Sequence, residues 1–183
     1  NFQQPKPLKL AAATSAHLVA NLDSPNGWTR DTAARLLYER QDRRAVAELD
    51  ALLGRSRSAL GRMHALHALQ GLFALETKHL VAGLADSDER VREHAVRLSE
   101  AAIIGAGGSG PLAAKLLGMT GDLSPRVRQQ LAFTLGDVRS PARPKALADI
   151  IRRDVESTWM QAAVLSSLTD GAGEVFTTLA HDL

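Results

Sequence analysis

The chain has 183 residues, 45% of them apolar but only 4% aromatic, with 22 basic against 20 acidic side chains, a formal charge of +2 and no cysteine. Val, Ile and Thr are too sparse beside Ala and Leu for a chain built mainly of strands, so the composition points to helices packed through small side chains. The near balance of charge is no strong nucleic-acid signature, the missing cysteine excludes disulfides, thiolate catalysis and c-type haem attachment in this segment, and no apolar run reaches the roughly 18 residues of a membrane span.

In chain order, an apolar stretch from about residue 8 leads into SPNGWTRDTAARLL, where Arg30, Ala33 and Leu36 stand three residues apart. AVAELDALL follows, then ALGRMHALHALQ with Arg62, Ala65 and Ala68 in the same frame. KHLVAGLA precedes DERVREHAVRLSEA, with Arg92, Ala95 and Leu98, and GPLAAKLLGM precedes DLSPRVRQQLAFTL, with Arg128, Leu131 and Thr134. PKALADIIRR precedes DVESTWMQAAVLSSL, with Met160, Ala163 and Ser166. The anchors at 30, 62, 92, 128 and 160 are spaced by 32, 30, 36 and 32 residues, and an acid six residues before the anchor recurs at Asp86, Asp122 and Asp154.

Each unit therefore reads as a helix A, a turn and a helix B, giving five B helices and six A-type stretches. The repeats are expected at about 8–40, 43–72, 76–104, 109–137 and 141–169, with a partial one at 172–183, all in one domain over 1–183. Pro25, Pro125, Pro141 and Pro144 fall near helix starts or in connections, where a missing N–H is tolerated. One helix pair cannot bury its apolar stripe alone, whereas stacked pairs share a continuous core, so the expected fold is all-α. The opening NFQQPKPLKL and the end at VFTTLAHDL, inside a helical pattern, are what a segment of a longer protein is expected to look like.

The spacing and the D-x-x-x-x-V-R-x-x-A-x-x-L form resemble HEAT repeats over nearly the whole chain. The resemblance implies an α-solenoid, a right-handed α-α superhelix of about five helix pairs, with a ladder of Asp and Arg between neighbouring repeats. Carried over residue by residue, the ladder falls on Arg30, Arg62, Asp86, Arg92, Asp122 and Arg128. Asp86/Arg92 and Asp122/Arg128 match it closely. Asp23/Arg30 carries one inserted residue, Ser56 stands where an acid is expected, and Met160 replaces the fifth Arg, so the ladder is expected to weaken there.

GAGGSG at 105–110 satisfies G-x-G-x-x-G, but a dinucleotide site needs a strand before the glycines and an acid about twenty residues on. A helical pattern precedes them and SPRVRQQ lies downstream, so a flexible connection between repeats is expected. His64 and His67 are three apart on one B helix and His94 shares the column of His64, yet no Cys, H-E-x-x-H or clear carboxylate partner completes a metal set. No nucleophile–base arrangement emerges either, so the expected catalytic, cofactor and metal residues are none.

On the B helices the columns three, four and seven after the anchor are apolar or small and read as core. The opposite columns carry Asp31, Arg35 and Tyr38, then His67 and Gln70, then Glu93, Arg97 and Glu100, then Gln129 and Phe133. His64, His94 and Gln130 flank that stripe, and in a solenoid these thirteen side chains would line the concave face where a partner binds. Asp31, Arg35, Glu93 and Arg97 mix signs, unlike the basic row a DNA backbone calls for.

A narrower similarity rests on SPNGWTRDTAARLLYERQD, HALHALQGL and DSDERVREHAVRLSE. These stretches resemble the helical repeat region of large membrane-bound-dehydrogenase or haem-binding multidomain proteins of planctomycetes and related bacteria. In that family a β-propeller precedes the array and a C-x-x-C-H haem c segment follows it. The resemblance implies an extracytoplasmic oxidoreductase parent, with haem outside this segment and no catalytic residue to carry over. The expected role is a non-catalytic scaffold for a protein partner or neighbouring domains of the same chain, with no nucleic acid and no membrane insertion. The alternatives are a phycobilisome-lyase-like HEAT protein and a nucleic-acid-binding HEAT-like protein.

Overall fold

A computed structural model of the chain describes residues 9–180, so the very start of the first expected repeat and the end of the partial one lie outside the described residues. Among the described residues the chain is all-α, without a strand. The helices are α1 (Ser15–Asn21), α2 (Gly27–Arg40), α3 (Val46–Arg55), α4 (Ala59–Gly71), α5 (Thr77–Leu84), α6 (Glu89–Gly105), α7 (Pro111–Leu117), α8 (Pro125–Thr134), α9 (Arg143–Arg153), α10 (Thr158–Ser166) and α11 (Ala172–Ala180). Odd-numbered helices coincide with the expected A stretches and even-numbered ones with the B helices. Short 3-10 turns sit at Leu10–Ala12, Arg43–Ala45 and Leu135–Asp137.

Helices α2, α4, α6 and α10 start where polar caps satisfy free N–H groups of the first turn, whereas Ser124 before α8 makes no such bond. Asn26 accepts from Thr29, Ser58 from Gly61, Asp88 from Arg90 and Val91, and Ser157 from Met160, each cap contributing about 1 kcal/mol. Gly27 is the first residue of α2. Pro111 and Pro125 open α7 and α8, where the absent N–H costs nothing.

The helices group into two compact units, Asn1–His79 and Leu80–Leu183, with the boundary inside α5. In the first unit α1 packs on α2 and α3 on α4, while α1 also meets α3 and α2 meets α4. Odd and even helices thus form two rows around Leu18, Leu22, Leu37, Leu49, Leu66 and Leu69, all fully buried. In the second unit α8 packs between α6 and α10, and α9 lies against α11, over Ile103, Leu116, Leu131 and Leu135. Each such side chain contributes about 2 kcal/mol by leaving water. Ala33, Ala65 and Ala95 are fully buried in the column three after the anchor, where a small side chain lets helices approach.

The fifth repeat keeps its core columns, with Ala163, Val164 and Ser167 buried three, four and seven residues after Met160, but its first turn differs from the others. The residue before the anchor is buried in every repeat (Thr29, Gly61, Val91, Val127), and in α10 the buried residue is Met160 itself. The bond to the backbone six residues earlier is made there by Gln161, whose Nε2 donates to the carbonyl of Val155 at 2.7 Å. The cap Ser157 stands four residues before Gln161, as Asn26, Ser58 and Asp88 stand before Arg30, Arg62 and Arg92. Met160 therefore fills the core rather than the arginine's place.

Candidate functional site

The arginine column is built the same way four times. Nη1 of Arg30, Arg62, Arg92 and Arg128 donates to the carbonyl six residues earlier, on Ser24, Ser56, Asp86 and Asp122, at 2.7, 2.9, 2.9 and 2.6 Å. The side-chain oxygen of that earlier residue accepts the N–H two positions on, in Asn26, Ser58, Asp88 and Ser124, which fixes the turn before the helix. The spacing of six is thus a turn lock that Asp and Ser both serve.

The second unit adds a pairing between successive repeats. Arg92 forks onto Asp122 at 2.7 and 2.8 Å, and Arg128 forks onto Asp154 at 2.7 and 2.6 Å. These four side chains are largely out of water, so the paired donors and acceptors replace lost hydration. Burial pushes the Asp122 carboxyl up, but the Arg92 hydrogen bonds, the Ser124 N–H and the charges of Arg92 and Arg128 outweigh it and hold it below the usual carboxylate range. The Asp122 and Asp154 carboxylates in turn hold Arg92 and Arg128 above the ordinary arginine value. The carboxylate of Asp122 thus partners the arginine of the preceding repeat, whereas its carbonyl serves Arg128 of its own.

The first unit makes a different link at the same place. Arg30 has no acid at residue 56; instead Ser56 Oγ donates to Asp23 at 2.7 Å, and Arg30 Nε is buried without a hydrogen-bond partner. Asp23, expected to face Arg30, serves Ser56.

The stripe expected to meet a partner divides into exposed and engaged residues. In the first unit Asp31, Arg35 and Tyr38 on α2 and Gln70 on α4 are exposed, while His64 and His67 are half-buried. Arg35 pairs with Glu39 at 3.1 Å, and the Tyr38 ring lies so close over Gly71 that a Cβ there would be 3.1 Å from it. In the second unit Arg97 and Phe133 are exposed, His94 and Gln129 half-buried, and Glu93 pairs with Arg126 at 3.2 Å. Glu100 accepts from Gln130 at 3.0 Å and from the fully buried Thr134 at 2.8 Å, so Glu100 and Gln130 tie α6 to α8. Trp28 is 65% exposed, so it does not cover the core.

No group of three or more metal-ligating side chains converges among the described residues. The histidine that sequence reasoning missed is His79, buried at the start of α5. Its Nδ1 accepts the Glu76 N–H at 2.8 Å, and its Nε2 lies 2.5 Å from Asp50 Oδ1, close enough for an ion pair but outside hydrogen-bond alignment. Its position among the apolar residues of KHLVAGL was the available signal.

The glycine stretch is a pinned turn rather than a loose connection. Gly108 takes φ +80°, its carbonyl accepts the Arg139 N–H at 2.7 Å, and a Cβ there would sit 2.7 Å from the Asp137 carbonyl oxygen. Beside it opens a cleft of about 530 Å³ lined in part by Asp137, Arg139 and Arg143. The charges of DVRSPAR, in a connection without helical period, were the only trace of it in the sequence.

No family model matches the chain, and no curated protein matches its sequence.

Proposed function

We propose that the chain is a HEAT-type α-solenoid segment that acts as a non-catalytic scaffold, presenting its even-numbered helices to a protein partner or to neighbouring domains of the same polypeptide. The observation that carries this reading is the fourfold arginine turn lock with its two inter-repeat forks, after which α2, α4, α6 and α8 still carry exposed side chains. On that face Asp31, Arg35, Tyr38, Gln70, Arg97 and Phe133 are exposed and offer mixed charge with two aromatic rings. Such a mixture suits a protein surface better than a phosphate backbone.

The resemblance of the first repeats extends the proposal to a parent protein: a bacterial membrane-bound dehydrogenase of the haem-binding multidomain type, extracytoplasmic, with haem c and the redox chemistry in other domains. No helix among the described residues is long and apolar enough to cross a membrane, in keeping with anchorage elsewhere in such a parent.

The test is a titration of the chain with the domains that flank it in the parent protein. Arg35→Ala, His67→Ala and Arg97→Ala together are expected to weaken binding by about tenfold or more. An unchanged affinity removes the proposed face, and a parent lacking both a propeller and C-x-x-C-H removes the redox setting.

A further inference from the structure

In the second unit the C-terminal end of α6, the turn at Leu135–Asp137 and the loop after α10 enclose the cleft of about 530 Å³ beside the glycine turn. That volume lies within the range of about 300–1,000 Å³ in which proteins hold small molecules. Its walls carry two positive and two negative side chains, and they are used unequally.

Arg143 is nearly buried, donates to the carbonyls of Val138 and Asp170 at 3.3 and 3.2 Å, and pairs with the Asp170 carboxylate. That pair neutralises itself. Asp137 and Arg139, two residues apart and both exposed, take no ion-pair partner among the described residues, neither each other nor a neighbour. Opposite charges left uncoupled on one wall are each solvated separately, and one molecule bearing both signs can satisfy both.

The rest of the wall limits the ligand further. A simple anion would meet Asp137 as well as Arg139, and a simple cation the reverse, so neither gains from the whole wall. Ile104, 60% exposed, supplies an apolar surface, and at Gly107 a Cβ would meet nothing within 4 Å, so the backbone there is open to close approach.

We propose that this cleft binds a small zwitterion with an apolar body, of the class of a free apolar α-amino acid. Its carboxylate pairs with Arg139, its ammonium with Asp137, and its side chain lies along Ile104. The cleft is lined by none of the side chains assigned to a protein partner and does not depend on that assignment.

Calorimetric titration of the whole chain with leucine, N-acetyl-leucine and leucinamide tests it, with circular dichroism to establish that each variant is folded. Leucine is expected to bind, each blocked form to bind at least about tenfold more weakly, and Arg139→Gln and Asp137→Asn each to lose about tenfold or more, whereas Arg57→Gln, at an exposed arginine of the first unit, changes nothing. The proposal is overturned if leucine gives no binding up to about 10 mM, if a blocked form binds as well as leucine, or if both folded cleft variants retain the wild-type affinity.

Discussion

The two units solve one problem with different chemistry. At the junction between successive repeats the second unit places a forked arginine–carboxylate pair twice, Arg92 with Asp122 and Arg128 with Asp154. The first unit places Ser56 against Asp23 and leaves Arg30 Nε buried and unpaired. Both keep the same turn lock, because an arginine reaching back six residues needs only a carbonyl, which any residue supplies. The difference teaches that the repeated arginine has two separable roles: closing its own turn, and tying that turn to the next repeat when an acid is waiting there.

Removing an acid from the second unit gives the largest expected effect. Asp154→Ala strands Arg128 in a site where it is 10% exposed, and is expected to cost about 3 kcal/mol in urea unfolding. A loss below about 0.5 kcal/mol would place the pair with ordinary surface ion pairs.

Acid should reach the same feature without mutation. The folded value of Asp122 lies below its unfolded one, so its contribution is complete above about pH 4 and is lost as pH falls through the folded value. Asp122→Asn is therefore expected to flatten the fall in stability below about pH 4, measured by urea midpoints at successively lower pH. An unaltered pH profile in that variant would contradict the assigned pairing.

The smallest effect expected is a gain in the first unit. Exchanging the two residues, Asp23→Ser with Ser56→Asp, moves the carboxylate to the position that Asp122 and Asp154 occupy relative to their arginines, and should stabilise by about 1 kcal/mol. Ser56→Asp alone should not, because the new carboxylate would lie against Asp23, now 2.7 Å from Ser56 Oγ. Thermal unfolding of the two variants beside the wild type separates these outcomes.

The helix order was readable because Arg, Ala and Leu at helical spacing recur with a cap or turn residue before each. Pairing direction was not, since the spacing of six within a repeat cannot tell whether the Asp122 carboxylate serves Arg128 or Arg92; the backbone carbonyl takes one role and the side chain the other. The shifted lock at α10 stayed hidden because Met160 fits both the anchor spacing and a core position, and only the cap at Ser157 and the bond of Gln161 align Gln161 with the arginines. Polar columns also overstate the free face. Glu100 and Gln130 look like solvent residues in sequence, yet buried Thr134 on α8 draws Glu100 into a bond between helices. The cleft joins three segments far apart in the chain, so beyond the charges of DVRSPAR no local pattern announced it.

A double-mutant cycle between Arg92 and Asp122, run beside one between Arg30 and Ser56, tests the central claim most directly. The coupling energy is expected to be about 2 kcal/mol for the first pair and within error of zero for the second. A coupling below about 0.5 kcal/mol at Arg92–Asp122, or equal couplings at the two sites, would contradict the account.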